Sequence, residues 1–467
     1  MIKAGHTMSI DTRISRTRMR AVAIGLSTIL AGCAGFSKDG GLEGVKTATQ
    51  RHIKQEIAWP KTEPERAQLA SRVDELLQQR MDVEGAVQVA LLNNRGLQAT
   101  FSELGIAEAD VVQAGRLPNP RFSMLYARND GDYKIEQAFT FNIFSLLTMP
   151  RIREIEGRRF EQTKQAIALD VLRLAHRTRL SYFDAVATNE QVHYSELVKE
   201  SAEASAELAR RMVKAGNFNT LQQAREQSFY ADAALEYANA RNKQNAAYEA
   251  LSRLLGVEAE KIQLAEHLPD LPSSVEALKP FEKQGLEQRL DLQTMRSETE
   301  TLAKQLGLTR KTRFINVLEI GPARVLEGRR GDAYKKGVDI AFELPLFDWG
   351  EARVARAEAI YMQSVNRTAQ MAINAQSEIR EAYAHYRASY DMARHYRDEV
   401  VPLRKKILDE NQLRYNGMLV SPFELLADAR AQVGSVKSYI DSLRDFWLAD
   451  SALDMTLLGS TPTMEGK

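Results

Sequence analysis

The sequence predicts a mainly α-helical fold with a small β part, in which long antiparallel helical hairpins accompany four short strands and the plan occurs twice. Three observations predict it. Two stretches run far beyond globular helix length with almost no helix breakers, a pair of alternating strand-like segments precedes each, and local patterns of the first half recur in order in the second. The chain has 467 residues, 44% hydrophobic and 27% charged, a composition that folds. A net charge of +1 without a long basic block argues against a nucleic-acid partner.

Residues 1–32 read as an export signal. Arg13, Arg16, Arg18 and Arg20 form a basic region, and Ala21–Ala31 form an apolar run too short to cross a bilayer. Leu30-Ala31-Gly32-Cys33 follows. Small residues ahead of a cysteine admit a peptidase, and the thiol accepts a lipid. The motif resembles a bacterial lipobox, with Cys33 as mature N-terminus and lipid attachment point, whether translation starts at Met1, Met8 or Met19. Ala34, where an Asp favours inner-membrane retention in enteric-type bacteria, fits the outer membrane. Cys33 is the single cysteine, so no disulfide forms within one copy. No later segment approaches eighteen uninterrupted apolar residues, so any further crossing of a membrane must use strands. The mature chain divides into a lipidated N-terminal segment (33–80), two repeats (81–268 and 269–460) and a tail (461–467).

From Arg158 to Ala215 there is neither Gly nor Pro. Leu169, Leu172, Leu180, Phe183, Ala187, Tyr194 and Leu197 recur at helical steps, with His176 in the gap of that stripe. Such a helix measures about 87 Å at 1.5 Å per residue, the scale of a coiled coil or helical tunnel. Gly216-Asn217 turn the chain, Asn219 caps the return helix with Gln222 as capping-box partner, and that helix runs from Thr220 to Leu255. In the second half Ala352–Tyr415 carries one breaker, Pro402, which kinks or divides the helix. Ser421 caps its return helix, Pro422 opens it and Glu424 completes a capping box. That helix continues to Leu458.

The strand segments are Arg121–Arg128 and Glu136–Leu147, then Arg313–Ile320 and Gly337–Phe347 across a Gly- and Arg-rich loop. Each approaches the ~9–11 residues of a tilted membrane strand. A shorter helix precedes each pair, Val83–Gly115 and Phe281–Leu308. Asn94-Arg95-Gly96-Leu97-Gln98 parallels Arg289-Leu290-Asp291-Leu292-Gln293. Four membrane strands cannot close a barrel, and an open edge in lipid is forbidden. The smallest transmembrane barrels have about eight strands. The chain must therefore oligomerise, and three copies give about twelve strands around a lumen.

At these residues the chain resembles the TolC-type outer-membrane efflux proteins. Ala114-Gly115-Arg116-Leu117-Pro118-Asn119-Pro120 is similar to their helix-to-strand junction, Leu344-Pro345-Leu346-Phe347-Asp348-Trp349-Gly350 to their second strand-to-helix junction, and Tyr415–Arg430 to their periplasmic hairpin tip. Arg289-Leu290-Asp291-Leu292 is a weaker match to their R-P-D-L element. The resemblance spans about residues 80–460, and the lipobox points to the lipoprotein branch. It implies a homotrimer lipid-anchored in the outer membrane, with a shared 12-stranded barrel and an α-helical tunnel reaching into the periplasm. It implies two partners, a periplasmic adaptor (membrane fusion protein) and an inner-membrane pump of the resistance-nodulation-division type. The duct itself is passive and needs no cofactor. In the family, acidic residues after the second hairpin turn ring the tunnel's narrow end. Glu424 falls on the first such position. Ala427 falls on the second, with Asp428 one residue further and about 100° away, so one ring or two remain open. The turns Gly216-Asn217-Phe218 and Gly417-Met418-Leu419-Val420, with Ser421, are the expected adaptor contacts.

No G-x-S-x-G, P-loop, H-E-x-x-H or Cys/His metal pair occurs, so neither an enzyme nor a metal site is expected. His385 and His395 are not at a paired-ligand spacing, and the Tyr383, Tyr386, Tyr390 stripe reads as a core seam. The alternatives are a lipid-anchored periplasmic adaptor, which has one hairpin between Gly-rich β domains, and a coiled-coil scaffold, which has no use for matched strand pairs. Cys33→Ser is expected to abolish acylation. Continued incorporation of labelled palmitate by that variant refutes the lipobox.

Overall fold

The computed structural model describes residues 35–275, 277–314, 317–329 and 331–459. The signal, Cys33 and the C-terminal tail lie outside them. In chain order the elements are α1 (Leu42–Thr49), α2 (Glu63–Leu77), α3 (Val83–Asn93), α4 (Arg95–Ala114), β1 (Arg121–Asn129), β2 (Asp132–Asn142), α5 (Ile143–Lys214), α6 (Thr220–Leu255), α7 (Leu278–Gln288), α8 (Leu290–Thr312), β3 (Leu318–Arg329), β4 (Lys335–Phe342), α9 (Glu351–His395), α10 (Val401–Asn416) and α11 (Pro422–Leu458). The chain forms two compact units. One holds residues 35–41, Leu104–Glu161 and Glu300–Met362; the other holds Leu42–Glu103, Gln162–Thr299 and residues 363–459.

The long helices form where the apolar period and the caps place them. Asn219 accepts from the Gln222 amide at 2.8 Å while the Gln222 side chain accepts from the Asn219 amide, a complete capping box. Gly256 ends α6 in the left-handed region. Ser421 caps α11 through the Glu424 amide at 3.2 Å; the reciprocal bond from the Glu424 side chain is not formed. The missing amide of Pro402 is accommodated by a π-helical turn, Tyr396–Val400, immediately ahead of α10.

Three expected boundaries move. The helix ahead of each strand pair is two helices, broken at Asn94 and at Arg289, each with ψ of 116°. These are the first residues of the two echoing pentapeptides, so the internal repeat marks a break common to both halves. Asn94 uses its side chain twice there, accepting from the Leu97 amide and donating to the Leu254 carbonyl. Arg289, 3% exposed, instead bridges Asp291 and Glu378 at 2.7 and 2.8 Å. Next, β2 ends at Asn142 rather than at Leu147, because the Asn142 side chain accepts the Ser145 amide at 2.8 Å and starts α5. Last, β3 covers Leu318–Arg329 and β4 Lys335–Phe342, so most of the expected Gly- and Arg-rich loop is strand. Gly321 is required in it: a Cβ there meets the Phe139 carbonyl oxygen at 2.0 Å.

The second unit is held by an aromatic seam. Tyr386 and Tyr390 pack on Phe446, which meets Trp447 edge-on at 5.1 Å, and Phe183 stacks on Trp447 at 5.6 Å. The polar ends of these rings tie down the connecting segments: Tyr390 donates to the Ser273 carbonyl, Trp447 to that of Pro269 and Tyr182 to that of Met81, at 2.9 to 3.0 Å. His176 fills its gap from α5, its Nδ1 2.9 Å from the Ser451 hydroxyl of α11. Burial and nearby Arg179 lower its pKa to about 4, so it sits neutral in the core.

Asp450, beside Ser451, has the opposite problem. Burial and then the like charge of Asp454 push its pKa up to about 7. The two signs oppose. As pH falls from 6.5 to 4, the unfolded chain protonates His176 first and stability is lost. As pH rises from 3.8 to about 7, the unfolded chain ionises Asp450 first and stability is again lost. Asp450→Asn is therefore expected to raise the thermal midpoint at pH 8 and to change it little at pH 4. At roughly 1.4 kcal/mol per pKa unit the gain is at most about 4 kcal/mol. Equal gains at both pH values rule out ionised Asp450 as the cause.

Candidate functional site

Two surfaces carry the chemistry of the chain, the four-stranded sheet in the first unit and the pair of hairpin turns in the second. The sheet is antiparallel in the order β1-β2-β3-β4. Its register sorts every strand residue to one of two faces. One face presents Phe122 opposite Phe139, Phe141 opposite Ile320, and Ile320 opposite Ile340. The other presents Ser123 opposite Ala138, Arg121 opposite Thr140, and Glu319 between Asn142 and Ala341. Burial differs with them. Phe139 and Phe141 are 41% and 46% exposed, whereas Ala138 and Thr140, alternating with them, are 9% and 6% exposed. Along β2 small crowded residues mark the face we term concave, and bulky open ones the convex face; Leu326, buried opposite Ile135 on the convex face, and Leu125, 48% exposed on the concave face, depart from the pattern. Arg121 and Thr140 both approach Glu319, at 3.5 and 3.3 Å, so the concave face carries a polar network. The outer edges of β1 and β4 have no strand partner among the described residues.

The strand-to-helix junction in the same unit explains the Leu344–Gly350 motif. Gly350 adopts φ +75° and lies so close to Arg313 that a Cβ meets its carbonyl oxygen at 2.7 Å. Asp348 accepts the Gly350 amide at 2.7 Å, and Trp349 meets Phe314 edge-on at 6.1 Å.

In the second unit the two turns meet. Gly216 takes φ +76° after α5, and Phe218 stacks on Phe423 of the other hairpin with ring centroids 4.4 Å apart. Met418 stands at φ +58° and is 94% exposed; Leu419 is 77% exposed. Asn217, Gly417 and Ser421 are exposed beside them. Glu424 is exposed and shares a side of α11 with exposed Ala427. Asp428 is partly buried and accepts from the Asn411 side-chain amide on α10. The two acidic candidates thus point differently.

Sequence reasoning missed the contact behind these turns. Arg430 donates to Glu226 of the other hairpin at 2.7 Å, Glu226 also accepts from Ser205 at 2.6 Å, and the Arg430 guanidinium lies 3.6 Å from the Phe229 ring centroid. Three long helices, α5, α6 and α11, are joined by one partly buried cation. Arg430 ends the tip motif, but nothing local to it indicates Glu226, 204 residues away.

The backbone has close counterparts. CusC, which forms a transmembrane channel, superposes with a TM-score of 0.64 over 81% of this chain and 92% of its own, at 19% identity. The outer-membrane channel OprN superposes at 0.66 over 88% and 95%, at 17% identity. The chain has the fold of the outer-membrane efflux channels. No family model matches the sequence. Among curated proteins, the cobalt-zinc-cadmium resistance protein CzcC of Cupriavidus metallidurans is 24% identical over 280 residues, which are 59% of this chain and 66% of that protein. Within this efflux-channel fold no described helix is long and apolar enough to cross a membrane, and no described cluster of His, Cys, Asp or Glu is placed to hold a metal ion.

Arg430→Ala removes a hydrogen-bonded charge and leaves the Glu226 carboxylate with the Ser205 hydroxyl but no counter-charge there, a loss of about 1–3 kcal/mol. Amide exchange around 216–219 and 417–421 is expected to accelerate roughly 5- to 150-fold, with the Phe446 seam unchanged. Unaltered exchange at the turns shows that Arg430 does not hold them.

Proposed function

We propose that the chain is the outer-membrane exit duct of a tripartite efflux system, working as a homotrimer with a periplasmic adaptor and an inner-membrane pump, anchored by lipid at Cys33 after removal of residues 1–32. The observation that carries this reading is the two-faced sheet with two open edges. An apolar convex face suits hydrocarbon and a polar concave face suits a water-filled lumen. Neither is stable in lipid while the edges of β1 and β4 are unpaired. Joining β4 of one copy to β1 of the next removes both edges, and three copies give about twelve strands.

The tips supply the other half of the reading. The uncovered Met418 and Leu419 offer an apolar contact to an adaptor. Glu424, repeated by symmetry, offers a ring of carboxylates that concentrates cations at a constriction. Asp428, held by Asn411, contributes less to such a ring. The duct does no chemistry and conducts what the pump delivers. The likeness to CzcC favours divalent metal cations among cargo classes that include drugs and solvents.

Full-length protein extracted in detergent is expected to run as a heat-resistant trimer and to conduct in planar bilayers, with Glu424→Ala weakening block by cations. A soluble monomer after removal of the lipid overturns the duct. Unchanged block in a conducting trimer removes Glu424 from the constriction.

A further inference from the structure

The acidic side chains of the sheet are confined to one face in a way that the duct does not require, whereas basic ones stand on both, with Arg121, Lys134, Arg329 and Lys335 on the concave face. Asp132, Glu136, Glu319, Glu327 and Asp339 all fall on the concave face by strand alternation. The apolar convex face carries Arg128, Arg324 and Lys336 and no acidic strand residue. Arg324 and Lys336 are direct cross-strand partners, so two like charges sit side by side on a surface otherwise fit for hydrocarbon. Arg324 donates through Nε to the Gln137 side chain at 2.6 Å and lies over the Tyr334 ring at 4.9 Å. Its terminal nitrogens, and the Lys336 ammonium, have no hydrogen-bonding partner among the described residues. Arg128 lies over Tyr133, itself 6.2 Å from Tyr126. Tyr126 and Tyr133, two and four residues nearer the hairpin ends than Arg324, read as an interfacial girdle, and long cationic side chains reach towards such a boundary.

From this juxtaposition we infer that Arg324 and Lys336 bind the phosphate of an anionic lipid headgroup on the outside of the barrel; Arg128, four residues nearer the hairpin ends and two strands from Arg324, stands apart from that pair. A guanidinium with both terminal nitrogens unpaired matches two phosphate oxygens, and an adjacent ammonium relieves the repulsion by sharing the anion. The occupant is a lipid because the site lies on the apolar face, beside the aromatic girdle. The inference rests on the reading that this face meets the membrane.

The test is native mass spectrometry of the purified full-length trimer in neutral detergent, titrated separately with phosphatidylglycerol, lipid A and phosphatidylcholine. The wild type is expected to retain phosphatidylglycerol or lipid A several-fold more than phosphatidylcholine, and R324Q/K336Q to lose that preference while keeping phosphatidylcholine retention. If the double variant does not assemble, K336Q alone is used, since Lys336 has no polar partner to lose among the described residues. A preference equal in wild type and variant, or absent from the wild type, overturns the inference. Absence of a trimer in any lipid strikes the duct instead, whereas a conducting trimer indifferent to headgroup charge strikes this inference alone.

Discussion

An unpaired strand edge cannot face hydrocarbon, and much of this chain is arranged around that constraint. Each bare amide or carbonyl in a bilayer costs several kcal/mol, more than side-chain packing on a short strand returns. Four strands leave two edges whatever their sequence. On the proposed reading the remedy comes from other copies, which make the sheet one part of a closed surface. Its faces follow. The concave side keeps small or polar residues such as Ala138, Thr140 and Gly321, because a closing barrel crowds its interior. The convex side tolerates Phe122, Phe139 and Phe342, because nothing in the same copy needs to cover them.

The helical unit answers a different requirement. Helices satisfy their own backbone, so they need no closure, but one of 72 residues needs lateral support along its length. That support is distributed. The Phe446–Tyr390–Trp447 seam supplies burial, while Arg289, with Asp291 and Glu378, fixes the break between α7 and α8. A buried cation with two carboxylates is weak evidence of net stability but demands one geometry, since a displaced Arg289 is left without compensation. The break at Asn94 reaches the same backbone conformation with neutral amide bonds. The two repeats thus share a shape and differ in the interactions that hold it.

How much was legible in the sequence follows from the range of each interaction. The Asn219–Gln222 box, the Ser421 cap and the extent of α6 rest on neighbours within four residues, and the chain alone places them correctly. The Asn94 and Arg289 pentapeptides are visible as an echo, but their meaning as helix breaks depends on Leu254 and Glu378, far along the chain. Gly321 and Pro322 read as loop because local rules make them breakers. The demand for glycine comes from the Phe139 carbonyl across the sheet, which no local pattern displays. Arg430 is the same case at the tips. Its motif is recognisable, but its partners Glu226, Ser205 and Phe229 belong to the other hairpin.

The tips combine both kinds of constraint. Phe218 and Phe423 bury their faces against one another, yet Met418 and Leu419, five and four residues before Phe423, are left bare, with Met418 in a backbone conformation that an L-residue adopts at a cost. A chain selected for stability alone gains by a glycine at 418 and a polar residue at 419. On the proposed reading their exposure is accounted for by a surface that becomes buried against a partner. Behind them the Arg430–Glu226 pair ties together the hairpins that carry the turns. A charge pair is suited to that place because it is strong while water is excluded and weak once water enters. On the proposed reading, a partner that parted the helices near Ser205 would wet the pair as it separated it, so that the first part of the opening would lower the cost of the rest.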